Sequence, residues 1–317
     1  MTVLVTGASG FIGRHVVSEL LRNSMRVRVV CRQIDQRTMP FENVDVRYLS
    51  GPGTAPIDWI EAVAGCSEVI HLAALAHTFP HHNGFSKLTL RVANVEFARA
   101  CAEAAVRSGV KRFVFMSSIG VHGGRSDLEP IHEGTVLKPH TEYARSKAEA
   151  EKNLADLVYK SDTGLTIVRA PSVYGPGAPG NFGALMRAIE LGLPLPLKSV
   201  TRNRRSFVAI DNLVDLILRC LMHPAAANQT LLVSDGEDLS TAEFIRRLGV
   251  FTTRPARLLP FPVGWMAFWA RLLGKGDIFQ SLCGSLQVDI SKTRALLGWN
   301  PIVTVDEGLR RAVERNL

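Results

Sequence analysis

The sequence predicts an α/β protein, a doubly wound parallel sheet followed by a smaller C-terminal lobe, and three observations carry that prediction. The chain opens with an apolar strand that runs into Gly7, Gly10 and Gly13, spaced by threes. Strands and helices then alternate up to about residue 171 at the spacing that right-handed β-α-β crossovers need. Beyond that point the texture changes to Tyr174-Gly175-Pro176-Gly177-Ala178-Pro179-Gly180, a loop-rich run that marks a lobe boundary. The expected domains are residues 1–171, with 205–226 packing back on them, and 172–317.

Residues 3–5 are apolar and uncharged, as a strand covered on both faces requires. Without Cβ atoms, Gly7, Gly10 and Gly13 let the chain turn sharply, admit a pyrophosphate to the backbone and bring the next helix close. That helix, 11–22, begins at Phe11 and Ile12 and aims free N–H groups at such a phosphate. An ordinary strand-to-helix turn is the alternative. The second strand, 26–31, ends where a dinucleotide ribose would lie. An acid there would hold the 2′-hydroxyl of NAD; Arg32 instead favours the 2′-phosphate of NADP, with Asp35 further on keeping NAD open.

Residues 44–49 form a third strand, Gly51-Pro52-Gly53 breaks it, and a helix spans 57–64. The fourth strand, 68–74, closes on Leu72, Ala73 and Ala74, small enough to leave room beside a flat ring. His71, His77, His81 and His82 lie near it, but no carboxylate or cysteine completes a ligand set, so no metal is expected. An alanine-rich helix over 87–107, a strand over 111–118 ending in Ser117 and Ser118, a long helix over 141–159 and a strand over 165–169 follow. Short helices are expected at 182–191, 212–222, 241–248 and 291–297.

The 317 residues, 46% hydrophobic and 21% charged, suit a globular protein with a sizeable core. The net charge of +8 is spread along the chain without a zinc-finger or RNP pattern, which fits a polyanionic small molecule better than nucleic acid. Five separated cysteines without a Cys-x-x-Cys point to a reducing compartment. The first strand leaves no room for a secretory leader, so a cytoplasmic location is expected. The apolar run 258–273 is interrupted by Pro260, Pro262 and Arg271 and is too short to span a bilayer. With Trp265, Phe268, Trp269 and Leu272 at helical spacing, it reads as a core or pocket helix in preference to one laid on a membrane or partner.

Tyr143-x-x-x-Lys147 is the motif that carries chemistry. Residues four apart share a helix face, so phenol and ammonium point into one cleft, where the cation would lower the phenol pKa. Ser118, at the end of the preceding strand, is placed to hydrogen-bond the same substrate oxygen.

These motifs, in this order, resemble the extended short-chain dehydrogenase/reductases of the nucleotide-sugar epimerase/dehydratase family, and the resemblance runs over essentially the whole chain. It is carried by Thr6-Gly7-x-x-Gly10-x-x-Gly13, His71-Leu-Ala-Ala74, Asn94-Val-Glu, Ser117-Ser118-Ile-Gly-Val-His-Gly123, Tyr143-x-x-x-Lys147 and Arg169-Ala-Pro-Ser-Val-Tyr-Gly-Pro-Gly177. It implies a Rossmann domain with Ser118, Tyr143 and Lys147 catalytic, and with Asn94 and Pro171 joining the cofactor residues. It also implies a nucleotide-sugar site at Asn181, Leu195, Leu197 and Arg205, with His122 where a tyrosine is usual. Two departures stand out: residues 276–290 hold no second phosphate-clamping arginine, and Ser50-Gly51-Pro52 replaces the usual Gly-Asp.

Ile119 and Gly120 occupy the positions of the dehydratases' Asp-Glu pair, so that elimination is not expected. The runs 232–240, 284–289 and 297–301 resemble reductases of bacterial polysaccharide clusters. The expected activity is NADPH reduction of a UDP-4-keto-6-deoxy-N-acetylhexosamine, a surface-polysaccharide precursor. The alternatives are a UDP-sugar 4-epimerase with retained NAD and a non-catalytic cofactor-binding regulator. The family implies a homodimer through helices 87–107 and 141–159; a monomer fits the residues equally.

Overall fold

A strand whose Val3, Leu4 and Val5 show no polar face to water must be covered on both sides, and Thr2–Thr6 (β1) lies in the middle of the molecule with those three side chains fully buried. The computed structural model describes residues 1–31, 44–48, 58–75, 87–126 and 129–314. After β1 come Phe11–Arg22 (α1), Arg26–Cys31 (β2), Asp45–Tyr48 (β3), Trp59–Val63 (α2) and Glu68–His71 (β4). Lys87–Arg91 (α3) and Phe97–Arg107 (α4) are joined by a π-helical turn, Val92–Glu96. Arg112–Ser118 (β5), Glu142–Val158 (α5) and Gly164–Ala170 (β6) complete the first half.

The second half holds Ser172–Tyr174 (β7), Gly180–Glu190 (α6), Arg205–Ala209 (β8), Ile210–Met222 (α7), Gln229–Leu232 (β9) and Asp238–Leu239 (β10). Thr241–Phe251 (α8), Val263–Leu272 (α9), Gly276–Cys283 (α10), Ser291–Leu297 (α11) and Val305–Glu314 (α12) follow.

Seven parallel strands form the main sheet in the order β3-β2-β1-β4-β5-β6-β9. Chain direction of winding reverses between β1 and β4, which opens a crevice at their C-terminal ends. One face is covered by α1 and α7, with Leu286, Val288, Leu297 and Trp299 returning to the same core. The other is covered by α2, α4 and α5. A second sheet, β10-β8-β7, and a third core built around Tyr174 and Phe244 make the C-terminal lobe.

The two lobes interleave. Strand β8 belongs to the small sheet while α7, directly after it, packs on the large one, and β9 supplies the seventh large-sheet strand. Asp235 ties the two together, accepting hydrogen bonds from the Ala209 N–H at 2.8 Å, Asn212 at 2.7 Å and the Tyr174 hydroxyl at 2.8 Å.

Two features depart from the sequence reading. The helix expected over 87–107 carries the π turn, which displaces Asn94 out of the regular ladder. The run 258–273 does form a helix, α9, but not a core helix: none of its residues is buried. Trp265 is 62% exposed, Phe268 61%, Trp269 46% and Leu272 65%, because the third core takes Val263 and Met266 from the helix's other side and, among the described residues, leaves this stripe outside every core.

Helix α5 buries an unusual set, Lys147 and Glu151 together with Ala144, Ala150 and Leu154. Glu151 meets Arg169 of β6 in a two-pronged ion pair, Nε to Oε1 at 3.0 Å and Nη2 to Oε2 at 2.6 Å, with both side chains under a tenth exposed. Glu151→Gln should therefore cost about 3–5 kcal/mol, because it strands a buried guanidinium. Adding Arg169→Met should restore much of that loss. Urea unfolding of the single and double variants reads the coupling, and simply additive losses would contradict the pairing.

Candidate active site

The turn after β1 is shaped by what a side chain would strike. A Cβ on Gly7, whose φ is +71°, would lie 2.7 Å from the Ala73 nitrogen, and one on Gly13 would lie 2.1 Å from the Gly7 oxygen. Gly7 and Gly13 are thus demanded by the close packing of β1 on the end of β4 and of α1 on the turn. A Cβ on Gly10 would meet only the Gly7 oxygen, at 3.2 Å, and Gly10 itself is exposed. It caps α1 with no side-chain hydrogen bond, and the first turn holds no acid. Unsatisfied N–H groups, no competing carboxylate and space that a Cβ would fill together fit the diphosphate of a dinucleotide.

Phe11 and Ile12, at the start of α1, are half-buried, as are Leu72, Ala73 and Ala74 past the end of β4. Pro171 is buried between β6 and β7. Arg32 and Asp35 lie outside the described residues, as do His77, His81, His82 and 50–52. Among the described residues, no group of three His, Cys, Asp or Glu is arranged to hold a metal.

Thr141 caps α5, its hydroxyl accepting from the Ala144 N–H at 3.1 Å, and so fixes where Tyr143 and Lys147 begin their shared face. Lys147 is 1% exposed; its ammonium donates to the Met116 carbonyl at 2.8 Å and sits 4.6 Å from the centre of the Phe115 ring. Burial pushes its pKa down to about 7, against an upward pull from the Glu151 carboxylate. Burial also pushes the Tyr143 phenol up to about 12. This corrects the expectation of a phenol acidified by Lys147: the ammonium is engaged by β5 and is itself driven toward neutrality, so desolvation of the ring prevails.

Ser118 ends β5, and its Oγ accepts from the Gly120 N–H at 3.1 Å. A Cβ on Gly120 would stand 3.3 Å from Ser118 Oγ and 3.7 Å from Ala144 Cβ, so only a glycine separates this hydroxyl from the first turn of α5. Ser118, Tyr143 and Lys147 therefore lie together at the C-terminal edge of the sheet.

Beneath them runs a buried polar chain that the sequence reading missed. Ser117 donates to Glu151, Glu151 holds Arg169, and Arg169 donates through Nη1 to His122 Nε2 at 2.9 Å. A signal for it was present: Tyr143, Lys147 and Glu151 recur every four residues on one helix face. His122 is only 4% exposed, with Nδ1 unpartnered, and burial together with Arg169 holds its pKa down at about 4. A neutral imidazole is thus held as the acceptor for Arg169 at the position where the sequence reading expects a substrate contact.

Asn94, expected among the cofactor residues, is likewise hydrogen-bonded to protein. Fully buried, its amide accepts from the Leu75 N–H at 2.7 Å and donates to the Leu75 carbonyl at 3.2 Å and to Ser146 Oγ at 2.9 Å. It fastens the end of β4 to α5, and its hydrogen-bond donors are spent on protein. His71, also fully buried, shares a 3.1 Å contact with the Thr6 hydroxyl, which accepts from the Ala73 N–H at 3.3 Å. Burial holds its pKa down at about 3, so it is a neutral strut.

On the other lobe, Asn181 is exposed in the first turn of α6, Leu195 is half-buried and Leu197 buried. Arg205 is 7% exposed, and its Nη1 donates to the Gly284 carbonyl at 2.9 Å and the Gln280 carbonyl at 3.5 Å. The expected phosphate contact thus meets a guanidinium already anchored to carbonyls at the C-terminal end of α10, where a cation is favoured.

A profile described as the NAD dependent epimerase/dehydratase family matches residues 3–233. The chain is 39% identical over 317 residues to a UDP-glucose 4-epimerase of Vibrio cholerae, covering 99% of this chain and 94% of that protein. It is 25% identical to an N-acetyl-α-D-glucosaminyl-diphospho-ditrans,octacis-undecaprenol 4-epimerase of Escherichia coli O157:H7, covering 98% and 94%. In fold it matches the UDP-glucose 4-epimerase of Thermotoga maritima solved with UDP-glucose, at a TM-score of 0.79 and 24% identity over 99% of this chain and 98% of that one. A parallel sheet with a glycine turn at its switch point, a Tyr-Lys helix face at the strand ends and a full-length match to such relatives place the chain in the NAD-dependent epimerase/dehydratase family, as an extended short-chain dehydrogenase/reductase enzyme.

Proposed function

We propose that the protein interconverts hydroxyl and ketone at C4 of a UDP-sugar, and that the net reaction is 4-epimerisation. What supports this reading is that Ser118 ends β5 and Lys147 reaches the Met116 carbonyl of the same strand, with Tyr143 one turn before Lys147 on α5. The choice of epimerisation over reduction leans on the V. cholerae relative, which matches along the whole chain. Arg32 supports a second reading, one-way NADPH reduction of a UDP-4-keto-6-deoxy-N-acetylhexosamine. A non-catalytic regulator is disfavoured, because the hydroxyl, phenol and amine are all retained.

Gly7, Gly10, Gly13 and the N–H groups opening α1 would hold the dinucleotide diphosphate, with Leu72, Ala73, Ala74 and Pro171 lining the adjoining crevice. When bound, that cofactor supplies the two-electron oxidant and reductant. Tyr143 handles the proton. With its pKa near 12, the phenol is protonated at neutral pH and ready to donate to a developing C4 alkoxide. In the oxidising direction it must first lose its own proton and accept the C4 hydroxyl proton as the phenolate, a form that positive charge on Lys147 favours. Glu151 supports that charge from one turn further along α5. Ser118 orients the reacting oxygen, and in an epimerase the same proton returns after the sugar presents its opposite face.

Tyr143→Phe should lower turnover by about 10²–10⁴ while cofactor binding, read by fluorescence titration, is unchanged. Full turnover by this variant would remove Tyr143 from the mechanism.

The buried amine gives a signed pH dependence. Between about pH 7 and the ordinary lysine range, the unfolded chain holds a proton that folded Lys147 lacks, so its contribution to stability rises with pH across that window and its full cost is present below pH 7. Without added cofactor, Lys147→Met should raise Tm more at pH 6 than at pH 9. An equal shift at both would show that Lys147 is not titrating in this way.

The two reactions are separated by product. Incubated with UDP-glucose or UDP-N-acetylglucosamine, the purified enzyme should form the C4 epimer without net consumption of dinucleotide. NADPH consumed stoichiometrically with a UDP-4-keto-6-deoxy sugar, and no epimer from either hexose, would select the reductase.

A further inference from the structure

Helix α9 is apolar on both sides, yet among the described residues only one of them packs into a core. Val263 and Met266 pack on the core of the C-terminal lobe. On the opposite side Trp265, Phe268, Trp269 and Leu272 form a stripe, prolonged by Leu273, 63% exposed, and Ile278 of α10, 55% exposed. An apolar surface of this kind is ordinarily buried in something.

The charges along this part of the chain are mostly positive. Over residues 250–288 the sequence holds four cations, Arg254, Arg257, Arg271 and Lys275, and a single acid, Asp277. All four cations are exposed. Two indoles and a phenyl ring bordered by arginine and lysine are the side chains that favour the boundary between hydrocarbon and headgroups. Ten residues reach roughly 15 Å, half of what a span requires, so the helix would lie in the plane of a surface and not cross it. Among the described residues, no helix is long and apolar enough to cross a membrane. A second copy is a poorer occupant, because a two-fold contact through this face would bring one cationic rim against another.

We propose that α9 and the turn into α10 dock the enzyme on an anionic lipid bilayer. The hairpin is tied at both ends to the substrate side. Leu195 donates to the Arg257 carbonyl at 2.8 Å and accepts from the Leu259 N–H at 2.8 Å just before α9, while Arg205 holds the Gly284 carbonyl at 2.9 Å just after α10. Docking therefore places the nucleotide-sugar lobe, and the elements at Leu195 and Arg205, next to the headgroups. The inference does not depend on which C4 reaction the enzyme performs.

The test is cosedimentation of the purified full-length protein with vesicles of phosphatidylcholine alone or mixed with phosphatidylglycerol. Wild type should sediment with the mixed vesicles only, less so as salt rises, and its tryptophan emission should move to the blue. Trp265→Ser/Trp269→Ser, with unchanged circular dichroism, should weaken binding by roughly tenfold or more for each indole lost. Arg271→Glu/Lys275→Glu should abolish the preference for phosphatidylglycerol. No sedimentation, equal binding to both vesicles, or binding untouched by the double tryptophan substitution would overturn the proposal. So would an oligomer in analytical ultracentrifugation that the tryptophan variant dissolves without any vesicle binding, since the face would then be a contact between copies.

Discussion

A lysine ammonium held out of water at the end of a parallel sheet is the constraint on which the rest of the site depends. Desolvating that charge is costly, and the surroundings are arranged to offset it: the Met116 carbonyl accepts, the Phe115 ring lies beneath, and Glu151 supplies negative charge from the next turn. Glu151 cannot itself be buried alone, so it takes Arg169 and Ser117, and Arg169 takes the neutral imidazole of His122. Each partner is placed to satisfy the one before it. The outcome fixes the rotation of α5 about its own axis and with it the direction of Tyr143.

The crevice beside this face is set by backbone contact. Gly7 lies so close to Ala73 that β1 and β4 act as a single rigid edge, and Gly13 brings α1 down onto the turn. Thr6 and His71 brace the edge from within, while Asn94 binds its continuation at Leu75 to Ser146 on α5. Leu75, Asn94 and Ser146 thus connect the proposed cofactor crevice to the helix that carries the proposed acid. The π turn at 92–96 is the local distortion that lets Asn94 reach both.

The C-terminal lobe follows a different logic. It is joined to the large sheet through Asp235, whose burial raises its pKa to about 6 while three hydrogen bonds from Ala209, Asn212 and Tyr174 hold its charge in place. Its core is filled from one side of α9, and the aromatic stripe on the other side is largely exposed.

Much of this architecture was legible in the order of residues, because it rests on local chemistry. Glycines spaced by threes after an apolar strand dictate a strand-turn-helix, and the helix 11–22 and strand 26–31 form where the sequence puts them. The four-residue spacing of Tyr143 and Lys147 determines that they share a face whatever surrounds them. Burial and charge state are properties of neighbours distant in the chain, and these only the tertiary structure decided. Helical periodicity in 263–272 marks an apolar stripe but cannot say whether another element arrives to cover it; none does among the described residues. The inward turn of His122 and Arg205 and the internal role of Asn94 likewise depend on partners at Arg169, Gly284 and Leu75, and the upward shift of the Tyr143 phenol on its burial, which fold alone brings about.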